Sequence, residues 1–463
     1  MSSTAIAAPR SHLWPAAAFG CWAAAAVLAP NLTLKAVLLA PAIVLPLAVW
    51  ALAAPGRWVA LFLVSALLLP PLPVAIGDSG PHPSLLFAAL GLWAGALWMS
   101  QWRAPAGGAG PALVLLFGVL LVSVAMATVN SGAAVAAGSL ARVGLFGIGV
   151  YVYFFTAGMP GRGLPGIGVL YWCAVAAALF GCVDFYFQLP APAGYGPQFV
   201  WLDSGVFRRA QGLFYEASTL GNFCVFFLVM IAVAIAGPPE QAPVSRKALA
   251  AGGSVLFAAM VLSYSRASAV ALAVALGVLL WWYRDRVRLG RAIAVFCGAM
   301  SAAALLLWKI FPDFAAMYWL RLTYSAEFLV SGTESVLSGR VASWRTLVAW
   351  IEANPGQALL GIGYKTLPYT AHLGAPLVAD NMYLSLLVET GIAGLGALLW
   401  LNWAIVRTAA KAARSADPRR AFCGLWMLCF WWGEMAQMTS GDLLTYWRVL
   451  PVYFFVLALA VRA

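Results

Sequence analysis

The feature that most constrains this chain is a series of long apolar runs separated by short polar loops. A membrane-spanning helix needs about 20 apolar residues in succession, because the hydrocarbon core of a bilayer is about 30 Å thick. Runs of this kind recur from residue 14 to residue 461, and about fourteen of them can be separated. Only 9% of the residues are charged, whereas a soluble chain carries about a quarter. The sequence therefore predicts an all-α, polytopic helical bundle and excludes a soluble enzyme with a single anchor.

The predicted spans follow one another with few long interruptions. Their ranges are 14–29, 36–54, 58–76, 85–101, 111–129, 139–157, 166–187, 217–236, 248–264, 267–283, 292–311, 382–406, 421–438 and 447–461. The seven cysteines of the chain lie inside these runs without a close pair, so we interpret them as packing residues rather than metal ligands or disulfides.

The orientation follows from the basic loops, because lysine and arginine are retained on the cytoplasmic side of a membrane. The loops at 284–291 and 407–420 are both rich in arginine, so both are predicted to be cytoplasmic. Two spans separate these loops, which places the segment 312–380 outside and both termini inside. In a bacterium this is the periplasmic face of the inner membrane. The net charge of +12 sits in such loops and gives no reason to expect a nucleic-acid partner.

Two long outer segments, 188–216 and 312–380, divide the chain. We expect an N-terminal transmembrane bundle at 1–187, a core at 188–406 that contains the loop 312–380, and C-terminal transmembrane helices at 407–463. Long loops are usually functional. The larger loop is predicted to be partly helical, because residues 338–354 have an amphipathic pattern that ends at Asn354-Pro355.

Arginines on the outer side are the first candidates for a functional site. Arg266 lies in the very short turn between two apolar runs, and a cation at the membrane boundary needs a partner. Guanidinium groups present a planar set of donors that suits phosphate, so several arginines near this boundary would bind a lipid diphosphate. The alternative is that each one pairs with a nearby acid or a lipid headgroup. The outer face has no DxD pair, and the histidines are scattered, so we expect no metal and no cofactor, with arginines stabilising a diphosphate leaving group instead.

Several short motifs occur in a fixed order over residues 200–394. They are RAQGLF at 209–214, SYSR at 263–266, SGR at 338–340, GIGY at 361–364, DNMYL at 380–384 and ETGIAG at 389–394. Together they make this part of the chain similar to the bacterial O-antigen ligase and O-antigen polymerase superfamily.

The resemblance implies a metal-independent glycosyltransferase with a GT-C-like fold and its active face in the periplasm. The donor would be a glycan on undecaprenyl diphosphate, and the acceptor lipid A-core or another lipid-linked glycan. The residues that it brings forward are Arg209, Arg266 and Arg340 around the diphosphate, Gln211, Tyr364 and Asn381 as further substrate-binding residues, and Asp380 as the catalytic base beside Arg266 and Arg340.

One departure from the ligase pattern concerns the base. Ligases of this kind usually have His-Asn where this chain has Asp380-Asn381. Asp380 could accept the proton of the acceptor hydroxyl, His372 could do so instead, or Asp380 could simply cap the following helix. The departure favours a polymerase or an exopolysaccharide relative over a ligase.

A transporter of a lipid-linked or polar substrate is the competing class of function. Asp184, Glu389 and Glu434 lie within apolar runs, and carboxylates in such positions are typical of proton relays. A transporter would explain the spans but not a structured outer loop.

Overall fold

The computed structural model describes residues 13–72, 81–103, 108–191, 195–202, 205–284, 340–370 and 377–462, with single helical residues between 308 and 323. The segment 292–311, predicted to be a span, therefore lies almost entirely outside the described residues. His372 and most of the outer segment before residue 340 also lie outside them.

Nearly all of the described chain is helical. The helices are α1 (Leu13–Leu28), α2 (Leu32–Leu52), α3 (Arg57–Leu68), α4 (Ser84–Leu97), α5 (Gly110–Ser131), α6 (Ala133–Gly158), α7 (Ile167–Phe187), α8 (Ala217–Ala236), α9 (Arg246–Leu262), α10 (Arg266–Trp282), α11 (Arg340–Ala353), α12 (Pro355–Leu360), α13 (Met382–Ala413), α14 (Pro418–Gln437) and α15 (Leu450–Val461). Within the described ranges, every predicted span other than 292–311 coincides with one of these helices.

Five of the described helices are long and apolar enough to cross a membrane by length and composition. They are α5, α6, α7, α8 and α13. The chain is thus a helical membrane protein, while the total of about fourteen spans stays a prediction.

Strand structure, which the sequence did not predict, occurs in the first outer segment. The strands β1 (Phe199–Leu202) and β2 (Gly205–Arg208) pair in antiparallel register, with Phe199 opposite Arg208. This hairpin ends one residue before Arg209, so it fixes where the chain enters the region around α8.

Helix α8 lies at the centre of the main core. It packs against α9, α10 and α14, and most of its residues are buried. A helix that is apolar and buried all round belongs in the interior of a bundle. The indole nitrogen of Trp426 in α14 donates to the Phe226 carbonyl of α8 at 2.7 Å, which ties the two helices together inside the core.

A second, smaller core joins the outer segment to α13. Its buried members are Leu347 of α11, Ile362 and Leu367 of the following loop, Ala379, and Val388 of α13. The amphipathic pattern at 338–354 is accounted for, because the buried face of α11 packs here.

Helix α13 is interrupted at Gly391, whose backbone is not helical (φ 69°, ψ −169°). The interruption leaves carbonyls of the preceding turn without helical partners. The backbone nitrogens of Ile362 and Gly363 fill these positions, donating to the carbonyls of Val388 at 3.1 Å and Glu389 at 2.8 Å. The motifs at 361–364 and 389–394 are therefore two halves of one backbone junction.

Candidate active site

Arg209 follows the hairpin and reaches the turn between α9 and α10. Its backbone nitrogen donates to the Gln198 carbonyl at 2.9 Å, and its Nε donates to the Ser263 carbonyl at 2.8 Å. Burial lowers the pKa of Arg209 to about 10, and the charge of Glu216 opposes that effect. The guanidinium therefore stays protonated at neutral pH.

Arg266 is the first residue of α10, immediately after this turn. The side chain of Ser265 caps the helix by accepting from the Ser268 nitrogen at 3.3 Å. A Cβ atom at Gly221 of α8 would lie 2.8 Å from the Ser263 hydroxyl and 2.7 Å from that of Ser268, so the turn rests directly on the central helix. The position of Arg266 is thereby fixed by the core.

Arg340 begins α11 and pairs with Asp380. Its Nε lies 3.0 Å from Oδ2 of Asp380, with 28% of the arginine side chain and 45% of the aspartate side chain exposed. One turn along, the Trp344 indole donates to the Ala379 carbonyl at 2.6 Å. The two contacts hold the start of α11 against the residues that lead into α13.

The structure brings the three predicted arginines into electrostatic contact. The charges of Arg340 and Arg266 both lower the pKa of Arg209, and the charge of Arg340 also acts on Arg266. We call Arg209, Arg266 and Arg340 the arginine cluster. Three like charges repel one another, and a ligand with several negative charges would relieve this repulsion.

Asp380 is not the cap of α13, as one interpretation of the sequence proposed. The side chain of Asn381 fills that role, accepting from the Leu384 nitrogen at 3.1 Å. Asp380 has a left-handed backbone (φ 45°), and its carboxylate faces Arg340 and solvent. Its side chain is thus available for a role other than capping.

The other predicted binding residues have structural contacts. The buried amide of Gln211 donates to the carbonyls of Gly196 at 3.0 Å and Tyr215 at 2.8 Å and accepts from the Gln198 nitrogen at 3.0 Å. Tyr364 is buried, and its ring lies 5.5 Å from Nζ of Lys365. Asn381 acts as a helix cap, so the contacts of all three residues that the structure describes are structural.

A second group of charges, not foreseen from the sequence, adjoins the arginine cluster. Lys365 forms an ion pair with Asp442, in the loop between α14 and α15. Burial alone would lower the pKa of Lys365, but the charges of Asp442 and Glu389 outweigh it and raise that pKa. The signal was a lysine directly after the GIGY motif, although nothing in the sequence identified its partner.

Glu216 connects the two groups. It accepts a hydrogen bond from the Thr219 hydroxyl at 2.7 Å, and it interacts electrostatically with Arg209, Asp442 and Lys365. Burial raises the pKa of Glu216, while the Thr219 hydrogen bond and the charge of Arg209 lower it. Glu216 is therefore a counter-charge for Arg209 on the side facing α8.

The intramembrane carboxylates that suggested a transporter have local partners. Asp184 forms an ion pair with Arg208 at 3.1 Å, and Glu434 accepts a hydrogen bond from the Asn222 amide. Glu389 accepts from the Leu367 nitrogen at 3.3 Å. Each carboxylate thus has a local partner, although one oxygen of Glu389 and one of Glu434 are buried without a hydrogen-bond partner among the described residues.

No metal site is evident in the described ranges, since no group of three or more His, Cys, Asp and Glu side chains there could hold a metal ion. The expectation that the reaction needs no metal stays a prediction. His82 contacts the Leu69 carbonyl and the Ser84 hydroxyl, each at 2.8 Å, and burial followed by the charge of Arg448 lowers its pKa to about 3. It is a neutral structural histidine.

The fold and site together define a helical membrane protein with clustered arginines beside a partly helical loop. Residues 251–399 match the family model described as O-antigen ligase, which supports a relation of this part of the chain to the O-antigen ligase and O-antigen polymerase superfamily. The resemblance drawn from the motifs is confirmed, and the family is one of glycosyltransferase-type enzymes. The matched range includes Arg266, Arg340 and Asp380, whereas Arg209 precedes it. No curated protein matches the chain.

Proposed function

We propose that this protein transfers a glycan from undecaprenyl diphosphate to an acceptor hydroxyl on the periplasmic face of the bacterial inner membrane. The acceptor is lipid A-core for a ligase, or another lipid-linked glycan for an O-antigen or exopolysaccharide polymerase. The observation that carries this proposal is the arginine cluster, in which Arg209, Arg266 and Arg340 act on one another electrostatically.

In the proposed mechanism the arginine cluster binds the diphosphate and stabilises the charge that develops on it as the leaving group departs. The acceptor oxygen forms a bond to the anomeric carbon while the bond from that carbon to the diphosphate oxygen breaks. Direct displacement inverts the anomeric centre. Asp380 accepts the proton of the acceptor hydroxyl, and its 3.0 Å contact with Arg340 supports this role by keeping a carboxylate beside the diphosphate site.

Arginine-to-lysine substitutions test this proposal. Lysine keeps the charge but loses the planar pair of donors, so Arg266→Lys and Arg340→Lys should each lower the transfer rate about a hundredfold or more. Arg345→Lys, on the exposed side of the same helix α11, is the matched control and should keep a rate near that of the wild type. Purified protein with a lipid-linked donor and an acceptor gives the measurement. Wild-type rates for both cluster variants would remove the arginines from the site.

The proposed location of the site on the periplasmic face of the membrane needs a separate test. Single cysteines at Ser331 and Ser415, introduced after replacement of the native cysteines, should differ in their reaction with an impermeant thiol reagent in intact spheroplasts. We expect labelling at position 331, in the outer segment, and protection at position 415, in a basic loop. The reverse pattern would invert the orientation and contradict a periplasmic site.

The lipid-linked glycans of a deletion strain distinguish a ligase from a polymerase. A deletion strain that accumulates long unligated chains on the lipid carrier has lost a ligase, whereas one that accumulates single repeat units has lost a polymerase. The departure from the ligase pattern at Asp380 leads us to expect the second outcome.

A further inference from the structure

A cavity of about 730 Å³ opens between α10, α13 and α14, away from the arginine cluster. Arg266 begins α10, and the cavity is lined by the far half of that helix, which at 1.5 Å per residue is about 25 Å long. The lining is mostly apolar and aromatic. It comprises Val274, Gly277, Val278, Trp281, Trp282, Arg284, Val406, Ala410, Arg414, Leu428 and Trp432.

Two arginines lie at the helix ends that border this cavity. The guanidinium of Arg284 is 4.3 Å from the centre of the Trp281 ring, and that of Arg414 is 5.3 Å from the Trp282 ring. Both arginines are exposed, as is Trp281. Exposed tryptophans beside arginines are typical of the boundary between hydrocarbon and headgroups, where the aromatic ring stays apolar and the cation reaches water.

A glycine of α10 borders this space. A Cβ atom built at Gly277 of α10 would meet nothing within 4 Å, so the small residue leaves an open channel rather than a close helix contact. A larger side chain at this position would fill the channel without touching either arginine.

We propose that this cavity binds an anionic phospholipid of the surrounding bilayer. An acyl chain occupies the apolar channel between α10, α13 and α14, and the headgroup phosphate contacts Arg284 and Arg414. The charge and the polarity of the cavity select this occupant, because basic groups at the mouth of an apolar pocket between membrane helices match a negatively charged headgroup and its chain. A free phosphate ion would leave the apolar channel empty. The site is independent of the proposed glycan transfer.

Native mass spectrometry of the purified full-length protein, after exchange into detergent micelles with phosphatidylglycerol or phosphatidylcholine, tests this site. We expect phosphatidylglycerol to be retained preferentially. The double variant Arg284→Ala/Arg414→Ala should reduce retention about tenfold or more, since each basic residue contributes about 1 kcal/mol to binding an anionic lipid. Gly277→Leu should reduce it by filling the channel. The controls are Arg407→Ala, which removes a cation outside the cavity, and Gly144→Leu, which adds bulk in open space on α6.

Three results would overturn the proposal. Equal retention of both lipids would remove the selectivity for negative charge. Unchanged retention in both the double arginine variant and Gly277→Leu would place the lipid elsewhere. Wild-type protein without retained lipid would also refute the site and leave the cavity to a second copy or to residues 285–307 of the same chain. Because Gly277→Leu removes no charge, a folding defect in the double variant would still leave the idea testable.

Discussion

Replacing Asp380 by asparagine separates the proposed catalytic role from a structural one. The carboxylate is lost, so the side chain can no longer accept the proton of the acceptor hydroxyl. The backbone at residue 380 is left-handed (φ 45°). Apart from glycine, asparagine and aspartate are the residues that adopt this conformation most readily, so the substitution adds no backbone strain. The cap of α13 is supplied by Asn381 and is unaffected.

The structural cost of Asp380→Asn should be small. The substitution removes the ion pair with Arg340, in which 28% of the arginine side chain and 45% of the aspartate side chain are exposed. Ion pairs with that exposure contribute about 0–1 kcal/mol to stability. Loss of a general base, by contrast, lowers a rate by about 10²–10⁴-fold. We therefore expect an unfolding transition close to that of the wild type together with a transfer rate reduced by at least about a hundredfold.

The assay compares transfer by the purified variant with its thermal unfolding midpoint. Asp417→Asn is the matched control, because Asp417 is an exposed carboxylate that caps α14 by accepting from the Arg419 nitrogen at 2.9 Å. The control should keep both the rate and the midpoint. A rate near wild type for Asp380→Asn would refute the base assignment and direct attention to His372.

Two further predictions concern the backbone and the second charged group. Gly391→Ala should destabilise the protein by more than about 3 kcal/mol, since the new Cβ would lie 2.2 Å from the Leu359 carbonyl oxygen in a backbone region suited to glycine; Gly396→Ala, in open space on the same helix, should stabilise it by about 0.5 kcal/mol or more. Equal unfolding midpoints for the Gly391→Ala and Gly396→Ala variants would contradict this prediction. Lys365→Met should cost about 3 kcal/mol by leaving the partly buried Asp442 without its cationic partner, and adding Asp442→Asn should recover part of the loss. Additive costs in that double variant would show that the pair does not act as a unit.

The positions of the helices could be predicted because apolar runs of span length have few alternatives in a membrane. Their ends were less predictable. The span predicted at 58–76 ends as a helix at Leu68, because Pro70 and Pro71 cannot continue the hydrogen-bonding pattern. In the other direction, α13 continues past residue 406 to Ala413, since a helix can extend into water on charged residues.

The sequence predicted three arginines for the site but did not show which contacts the surrounding residues make. Arg266 stood out as a charge between two apolar runs, whereas Arg209 and Arg340 were brought forward by the family resemblance of their motifs. Gln211 belongs to the same motif as Arg209, yet its amide forms hydrogen bonds to backbone carbonyls. The pairing of Lys365 with Asp442 joins residues far apart in the chain, and no local pattern records such a contact.

The junction between the loop at 361–363 and the interrupted helix α13 has a consequence for engineering. Its hydrogen bonds join main-chain nitrogens to main-chain carbonyls, so they carry no information about side-chain identity. A donor loop from a different homologue could therefore be grafted between α11 and α13 and still attach in the same place. The graft needs to keep three glycines. A Cβ atom at Gly361 would lie 2.3 Å from the Glu389 carbonyl oxygen, one at Gly363 would lie 2.4 Å from the Ala127 Cα, and one at Gly391 would lie 2.2 Å from the Leu359 carbonyl oxygen. Chimeras built on this rule would exchange the outer loop as a module while the membrane domain stays unchanged.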